Sequence, residues 1–223
     1  MKKTFIILLI ISIIGVLIYL VNENFSFTSS VKKDIVKSEK IVPKQKFQNG
    51  DIIFQTSTSA QSKAIQIATK SKYSHMGIIY KIKNEFFVYE AVQPVKLTPL
   101  KEWINRGENK HYVIKRLKNA DKILTQEVLV KMKKAGEKYK GKNYDLYFEW
   151  SDDKIYCSEL VWKIYKEATG LEIGKLEKLS SFNLTDKIVQ QKIKERYGNK
   201  VPMNETVISP VAMFNSDKLI EMN

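Results

Sequence analysis

Cysteine is nearly absent from this chain of 223 residues: there is one, Cys157, so no disulfide can form within it. Histidine is almost as scarce. His75 and His111 lie in segments separate from each other and from Cys157, which matches no recognised zinc-ligand spacing, although a site built from His75, Cys157 and a carboxylate can be drawn on paper. No metal and no cofactor is expected. The sequence also lacks zinc-finger spacing, a glycine-rich phosphate loop, and aromatics interleaved with arginines, so nucleic acid is not an expected partner. Internal repeats and low-complexity tracts are missing too. Acidic residues are in deficit, 24 against 38 Lys plus Arg, leaving a net charge of +14. Many of the lysines, such as Lys131, Lys133, Lys134 and Lys138, stand singly on helix faces, as a solvated surface requires. The same excess attracts anionic partners such as envelope polymers or phospholipid head groups.

Charge is absent over one further stretch. Lys2 and Lys3 precede a 17-residue run, Phe5 to Val21, without a charged side chain. That is the lower limit of a membrane span, about 17–25 residues, and longer than the roughly 7–15 of a signal-peptide core. Val21-Asn22-Glu23-Asn24-Phe25 supplies no small-x-small cleavage site, which favours an uncleaved anchor over a removed signal. The two lysines keep the front end in the cytoplasm, and the rest of the chain is expected outside it, in a bacterial periplasm or at the cell surface. Residues 1–21 thus read as anchor or signal segment, 22–46 as a polar, lysine-rich tether, and 47–223 as the folded domain. In an oxidising compartment a lone cysteine is either well buried or used.

Within the domain, Gly50 to Gln55 reads as a strand after a turn glycine, and Ser59 to Lys70 as a helix. His75 to Ile82 and Glu85 to Val92 read as two strands joined by the two-residue turn Lys83-Asn84. A cap residue before proline at Thr98-Pro99 predicts a short helix, and His111 to Arg116 a further strand. Thr125 to Tyr139 is an amphipathic helix stopped by Gly141. Asn143 to Trp150 is an aromatic loop, Thr185 to Arg196 is helical, and Ile208-Ser209-Pro210 opens a capped final turn. The class is α+β, with strands in the first half and helices in the second.

Two sets of residues carry possible chemistry. If the turn is centred on Lys83-Asn84, paired positions place His75 and Glu90 as diagonal neighbours on one sheet face, roughly 7–8 Å apart at the backbone, with Gly77 leaving room between them. A carboxylate beside an imidazole fixes its tautomer and stabilises the imidazolium, which suits a catalytic base; a satisfied edge histidine is the plainer alternative. His111 has no such surroundings and reads as structural. In the second set, Cys157, Leu160, Val161, Ile164 and Tyr165 recur as the apolar stripe of a helix, and the cap-forming cluster Ser151 to Lys154 places its start within a few residues of the thiol. Unpaired N–H groups and the helix dipole favour a thiolate there; equally, a cysteine on an apolar stripe packs as a small hydrophobe.

The words Gly50-Asp51-Ile52-Ile53-Phe54, Tyr73-Ser74-His75-Met76-Gly77-Ile78, Tyr89-Glu90-Ala91-Val92, Tyr144-Asp145 and Tyr156-Cys157-Ser158-Glu159-Leu160-Val161-Trp162, in this order, resemble the circularly permuted branch of the NlpC-type papain-fold cysteine hydrolases, closest to the YiiX group. The likeness spans about Gly50 to Pro210. It implies a small, barrel-like antiparallel sheet packed against helices. It also implies Cys157 as nucleophile, His75 as general base and Glu90 as the residue that orients the imidazole. Tyr144, Tyr156 and a backbone N–H near Cys157, that of Ser158 included, are the candidate oxyanion donors. The activity implied is that of an amidase or peptidase that forms a thioester with an envelope peptide or amide. A lipid-directed acyltransferase or thioesterase is the alternative, which a long apolar groove beside Cys157 would favour. A non-catalytic envelope-binding module with an inert Cys157 is the third reading.

Overall fold

The first strands are near-continuous apolar runs, as a sheet buried on both faces demands. In the computed structural model, which describes residues 47–222, β1 (Ile52–Gln55) sends Ile52 and Phe54 into one core and Ile53 into another. The charge-free run 5–21 and the tether 22–46 lie outside the described residues. Among those described, no helix is long and apolar enough to cross a membrane.

β2 (His75–Ile82) and β3 (Glu85–Glu90) form the expected hairpin, with Ile82 opposite Glu85 and Ile78 opposite Tyr89. Lys83 takes φ +54° in the turn, and the two-residue loop fixes the register of every pair beyond it. Gly77 is required by close approach: a Cβ there would lie 2.4 Å from Val88 Cγ1 and 2.7 Å from the Tyr89 carbonyl oxygen. With β4 (Lys96–Pro99), β5 (Val113–Leu117) and β8 (Leu219–Met222), these strands make one antiparallel sheet in the order β4-β3-β2-β1-β5-β8. β6 (Glu177–Lys178) and β7 (Thr206–Val207) pair separately.

The first helix, α1, spans Ser62–Thr69, starting three residues later than its sequence suggests. α2 (Leu100–Asn105) places Leu100 and Trp103 against Ile53, Ile79, Val88 and Ile114 on one face of the sheet. After the single turn α3 (Ala120–Ile123), α4 (Gln126–Glu137) and α5 (Cys157–Thr169) cover the other face. Met132 and Ala135 from α4, with Leu160, Val161, Ile164 and Tyr165 from α5, join Ile52, Phe54, Met76 and Ile78 in the larger core. Each large apolar side chain fully buried there contributes roughly 1.5–3 kcal/mol. α6 (Lys187–Tyr197) is capped by Asp186, and α7 (Pro210–Phe214) by Ser209.

Three local expectations are corrected. Thr98 is not a helix cap but a residue of β4, with its hydroxyl turned into the sheet. The cluster Ser151 to Lys154 does not cap α5: Tyr156 is the N-cap, without a side-chain cap bond, while Asp152 binds Lys163 Nζ at 2.8 Å and the Tyr139 hydroxyl at 3.2 Å. Strands are not confined to the first half either, because β8 returns to pair with β5 after all the helices.

Candidate active site

His75 opens β2 and Glu90 closes β3, so the hairpin register puts both on the face that carries Trp103. His75 Nε2 and Glu90 Oε2 are 2.6 Å apart. Glu90 is fully buried, and its second oxygen accepts from Thr98 Oγ1 at 2.5 Å and from Arg106 Nη2. Burial raises a carboxyl's pKa, but here His75, Thr98 and Arg106 outweigh it and hold Glu90 below the usual range. The Trp103 indole stacks on the imidazole, ring centroids 5.9 Å apart at 25°. Ser74 fixes the strand's start, accepting from the Ser57 N–H at 2.9 Å and contacting the Ser62 hydroxyl at 2.7 Å. Trp103 and Arg106 carried no site signal in the sequence, and Thr98 only that of a helix cap; the fold alone brings them to the pair.

Cys157 is the first residue of α5 and 3 % exposed. With Nε2 engaged by Glu90, the other ring nitrogen of His75 is left for the thiol, and the two side chains shift each other's proton affinity. The backbone N–H groups of Met76 and Ser158 also point at the sulfur. Burial raises the thiol's pKa, yet His75 and these amides outweigh it and draw Cys157 below its ordinary value. On the imidazole, burial works against the charged form, while Cys157 and Glu90 together lift it to about 9. Between the two limits the pair is a thiolate and an imidazolium.

The three neighbours singled out from the sequence take different positions. Residues 143–145 run beside the segment that leads into α5, with the Asp145 N–H on the Ile155 carbonyl and the Ile155 N–H on the Asn143 carbonyl, both at 3.2 Å. Tyr144 is thereby set next to Cys157, and the two line the same cavity and act on each other electrostatically. The Tyr156 hydroxyl is instead engaged by the Ile208 N–H at 3.1 Å, and the Ser158 hydroxyl donates to the Ile208 carbonyl at 2.7 Å. Of Ser158, only the backbone N–H faces the thiol. His111 is exposed and away from this group.

Two recesses adjoin at the Cys157–His75 pair, Cys157 lining the first and His75 the second. One is an apolar cavity of about 110 Å³ that reaches from the thiol between Ile65, Phe182, Val189 and Ile193. For scale, a cavity of about 150 Å³ with such a lining holds a benzene. The other is a wider, more polar cleft that begins at His75 and runs past Gln55, Gln93 and Arg106. Gln61, Ser74, Tyr144, Lys192 and Arg196 border both.

A helix-initial cysteine facing a strand histidine across an antiparallel sheet, with the histidine earlier in the chain, defines a papain-like fold in permuted order. The chain belongs to a family with that description: residues 46–222 match the permuted papain-like amidase enzymes, YaeF/YiiX, C92 family. It is 48% identical over 172 residues to YiiX, an uncharacterized protein of Escherichia coli, across 77% of this chain and 84% of that protein. The crystal structure of metalloprotein yiiX from Escherichia coli O157:H7 matches with a TM-score of 0.75 at 48% identity, covering 79% of this chain and 96% of that one.

Proposed function

We propose that this protein is a cysteine-dependent amide hydrolase that forms a thioester at Cys157, on a substrate with an apolar acyl group. The observation that carries this reading is the His75 ring held between Glu90 and Cys157 where the apolar cavity meets the polar cleft. The Cys157 thiolate attacks the carbonyl carbon, forming the S–C bond as the carbonyl π pair moves onto oxygen. The Tyr144 hydroxyl and the Ser158 N–H stabilise that oxyanion. As the pair returns and the C–N bond breaks, the His75 imidazolium gives its proton to the departing nitrogen. Neutral His75 then takes a proton from water, which attacks the thioester and releases the acid and Cys157. Glu90 keeps the ring oriented and compensates its charge.

The cavity favours the lipid-directed form of this reading: an acyl chain fills the apolar side and the amine portion leaves through the polar cleft. The charge-free run 5–21 would hold the domain beside a membrane, outside the cytoplasm, where such acyl groups and anionic head groups are found. The Escherichia coli O157:H7 relative is described as a metalloprotein. In this chain Cys157 and one ring nitrogen of His75 are two donors, while both Glu90 oxygens are already engaged. No group of three or more His, Cys, Asp or Glu side chains among the described residues is arranged to hold an ion. That donor set does not fit a resident metal, and no step is routed through one.

The test is iodoacetamide labelling against pH, with a His75→Ala variant alongside; with one cysteine, every adduct reports Cys157. The expected result is an apparent pKa well below about 8.5 that returns toward it without His75. A thiol that resists labelling, or titrates identically in both proteins, would sink the hydrolase reading and leave the envelope-binding module.

A further inference from the structure

Gln61 precedes the first residue of α1 and Arg196 lies in the last turn of α6, 135 positions apart, yet both border the cavity and the cleft beside Tyr144. Arg196 Nη2 donates to Gln61 Oε1 at 2.8 Å. The guanidinium also lies over the Phe148 ring, 5.2 Å from its centroid, and among the described residues no carboxylate forms an ion pair with it; its neighbour Glu195 is paired with Lys192. Gln61 and the Tyr144 phenol border the same two recesses and act on one another electrostatically, as the phenol does with Cys157.

The order of donors in this chain is fixed by chemistry. A guanidinium only donates, so the oxygen of the Gln61 carboxamide must turn toward Arg196 and its NH₂ toward Tyr144. The phenol oxygen then accepts, and its single proton is left for the side on which Cys157 lies. A hydroxyl without such a neighbour rotates freely between partners. Burial first, then the Cys157 charge, raises the phenol well above its ordinary value, and Gln61 and the positive charge of Arg196 oppose that push.

We propose that Arg196, acting through Gln61, is a positioning residue that aims the Tyr144 proton at the oxyanion formed on the Cys157 acyl carbon. The proposal rests on the acyl-enzyme reading above and goes beyond it by assigning a function to two residues remote from the reacting atoms. It gives the last turn of α6 a role beyond lining the cavity.

The test uses the full chain with p-nitrophenyl octanoate as acyl donor, following nitrophenolate release in the unmodified protein and in Tyr144→Phe, Gln61→Glu and the double variant. Gln61→Glu keeps its size and its partner Arg196 but can only accept, so the phenol proton turns away from the sulfur. The expected result is a loss of about 10²-fold in kcat for Tyr144→Phe, the scale of removing one oxyanion donor. Gln61→Glu is expected to lose nearly as much with KM unchanged, and the double variant no more than Tyr144→Phe alone. Arg196→Met, at about tenfold, gives the same non-additivity and is read in place of Gln61→Glu if that variant's melting curve shows it unfolded. Additive losses, a change confined to KM, or full activity in the Gln61 variant would overturn the relay while leaving the acyl-enzyme intact. An unmodified protein that releases no nitrophenolate removes the acyl-enzyme reading and the relay together.

Discussion

Two buried charged groups sit on neighbouring strands of the same sheet and differ in what they leave open. Asp51, just ahead of β1, and Arg116 of β5 form a two-pronged pair at 2.7 and 2.8 Å, and Asp51 also accepts from the Gln48 N–H at 2.7 Å. Both side chains are almost wholly enclosed, and neither borders the cavity or the cleft. At His75 and Glu90 the carboxylate is just as enclosed, but the imidazole keeps one nitrogen for a thiol that borders the cavity. A closed pair anchors strands, whereas a pair with one position left over can move a proton. Burial does not separate the two; the destination of the last unpaired nitrogen does.

The largest effects should cross-separate the two groups. Cys157→Ser is expected to lower acyl transfer by on the order of 10⁴-fold or more, as losing a nucleophile does. Its thermal unfolding should stay near that of the unmodified protein, because the change is one atom. Asp51→Asn should do the reverse, costing about 3–5 kcal/mol by leaving the buried Arg116 charge without its counter-ion, with the pH dependence of Cys157 labelling unmoved. Melting curves and labelling rates on both variants check this. A Cys157→Ser protein that remains active, or an Asp51→Asn protein with an altered thiol titration, would erase the distinction between anchor and reaction site.

The comparison also explains what could be read beforehand. The hairpin register was legible because a two-residue turn leaves no freedom, so His75 and Glu90 could be placed together from sequence alone. That Cys157 opens the buried stripe of α5 followed from its apolar spacing, which placed the helix start within a few residues of the thiol. Its cap did not follow, because Asp152 and Lys163 found each other across 11 positions, a contact that no local pattern encodes. Thr98 and Arg106 escaped for the same reason. A polar side chain at a strand end or helix stop has no periodicity, and only the curl of β3, β4 and α2 around Glu90 gives these two a target. Gln61 and Arg196 are the extreme case.

A smaller effect sharpens the difference at the carboxylate itself. Glu90→Gln keeps the shape and removes the charge that supports the imidazolium, so kcat should fall by about 10²-fold, the low end for disturbing a general base. The pH profile carries the sign. Thiolate and imidazolium coexist above the lowered Cys157 value and below the His75 value of about 9, so activity falls on the alkaline side as His75 loses its proton there. Without the Glu90 charge that alkaline limit moves to lower pH. A limit that stays near 9 in Glu90→Gln would mean that the thiolate alone holds the imidazolium.

Ser158 tests the comparison where sequence and structure pull apart. It adjoins Cys157 in the chain and belongs to the same motif, yet its buried hydroxyl donates to the Ile208 carbonyl at 2.7 Å. That bond ties the first turn of α5 to the segment ahead of α7, as the Asp51 pair ties β1 to β5. Ser158→Ala leaves the backbone N–H at the sulfur untouched and removes one buried hydrogen bond, at a cost of about 1 kcal/mol. For a domain of this size that lowers Tm by roughly 2–4 °C. Labelling of Cys157 and acylation by the octanoate ester are expected to match the unmodified protein within about twofold, since the amide that faces the thiol is still there. A tenfold loss of acylation with Tm unchanged would instead put the hydroxyl among the groups that act on substrate, and would move Ser158 from the anchoring side of the comparison to the reacting one.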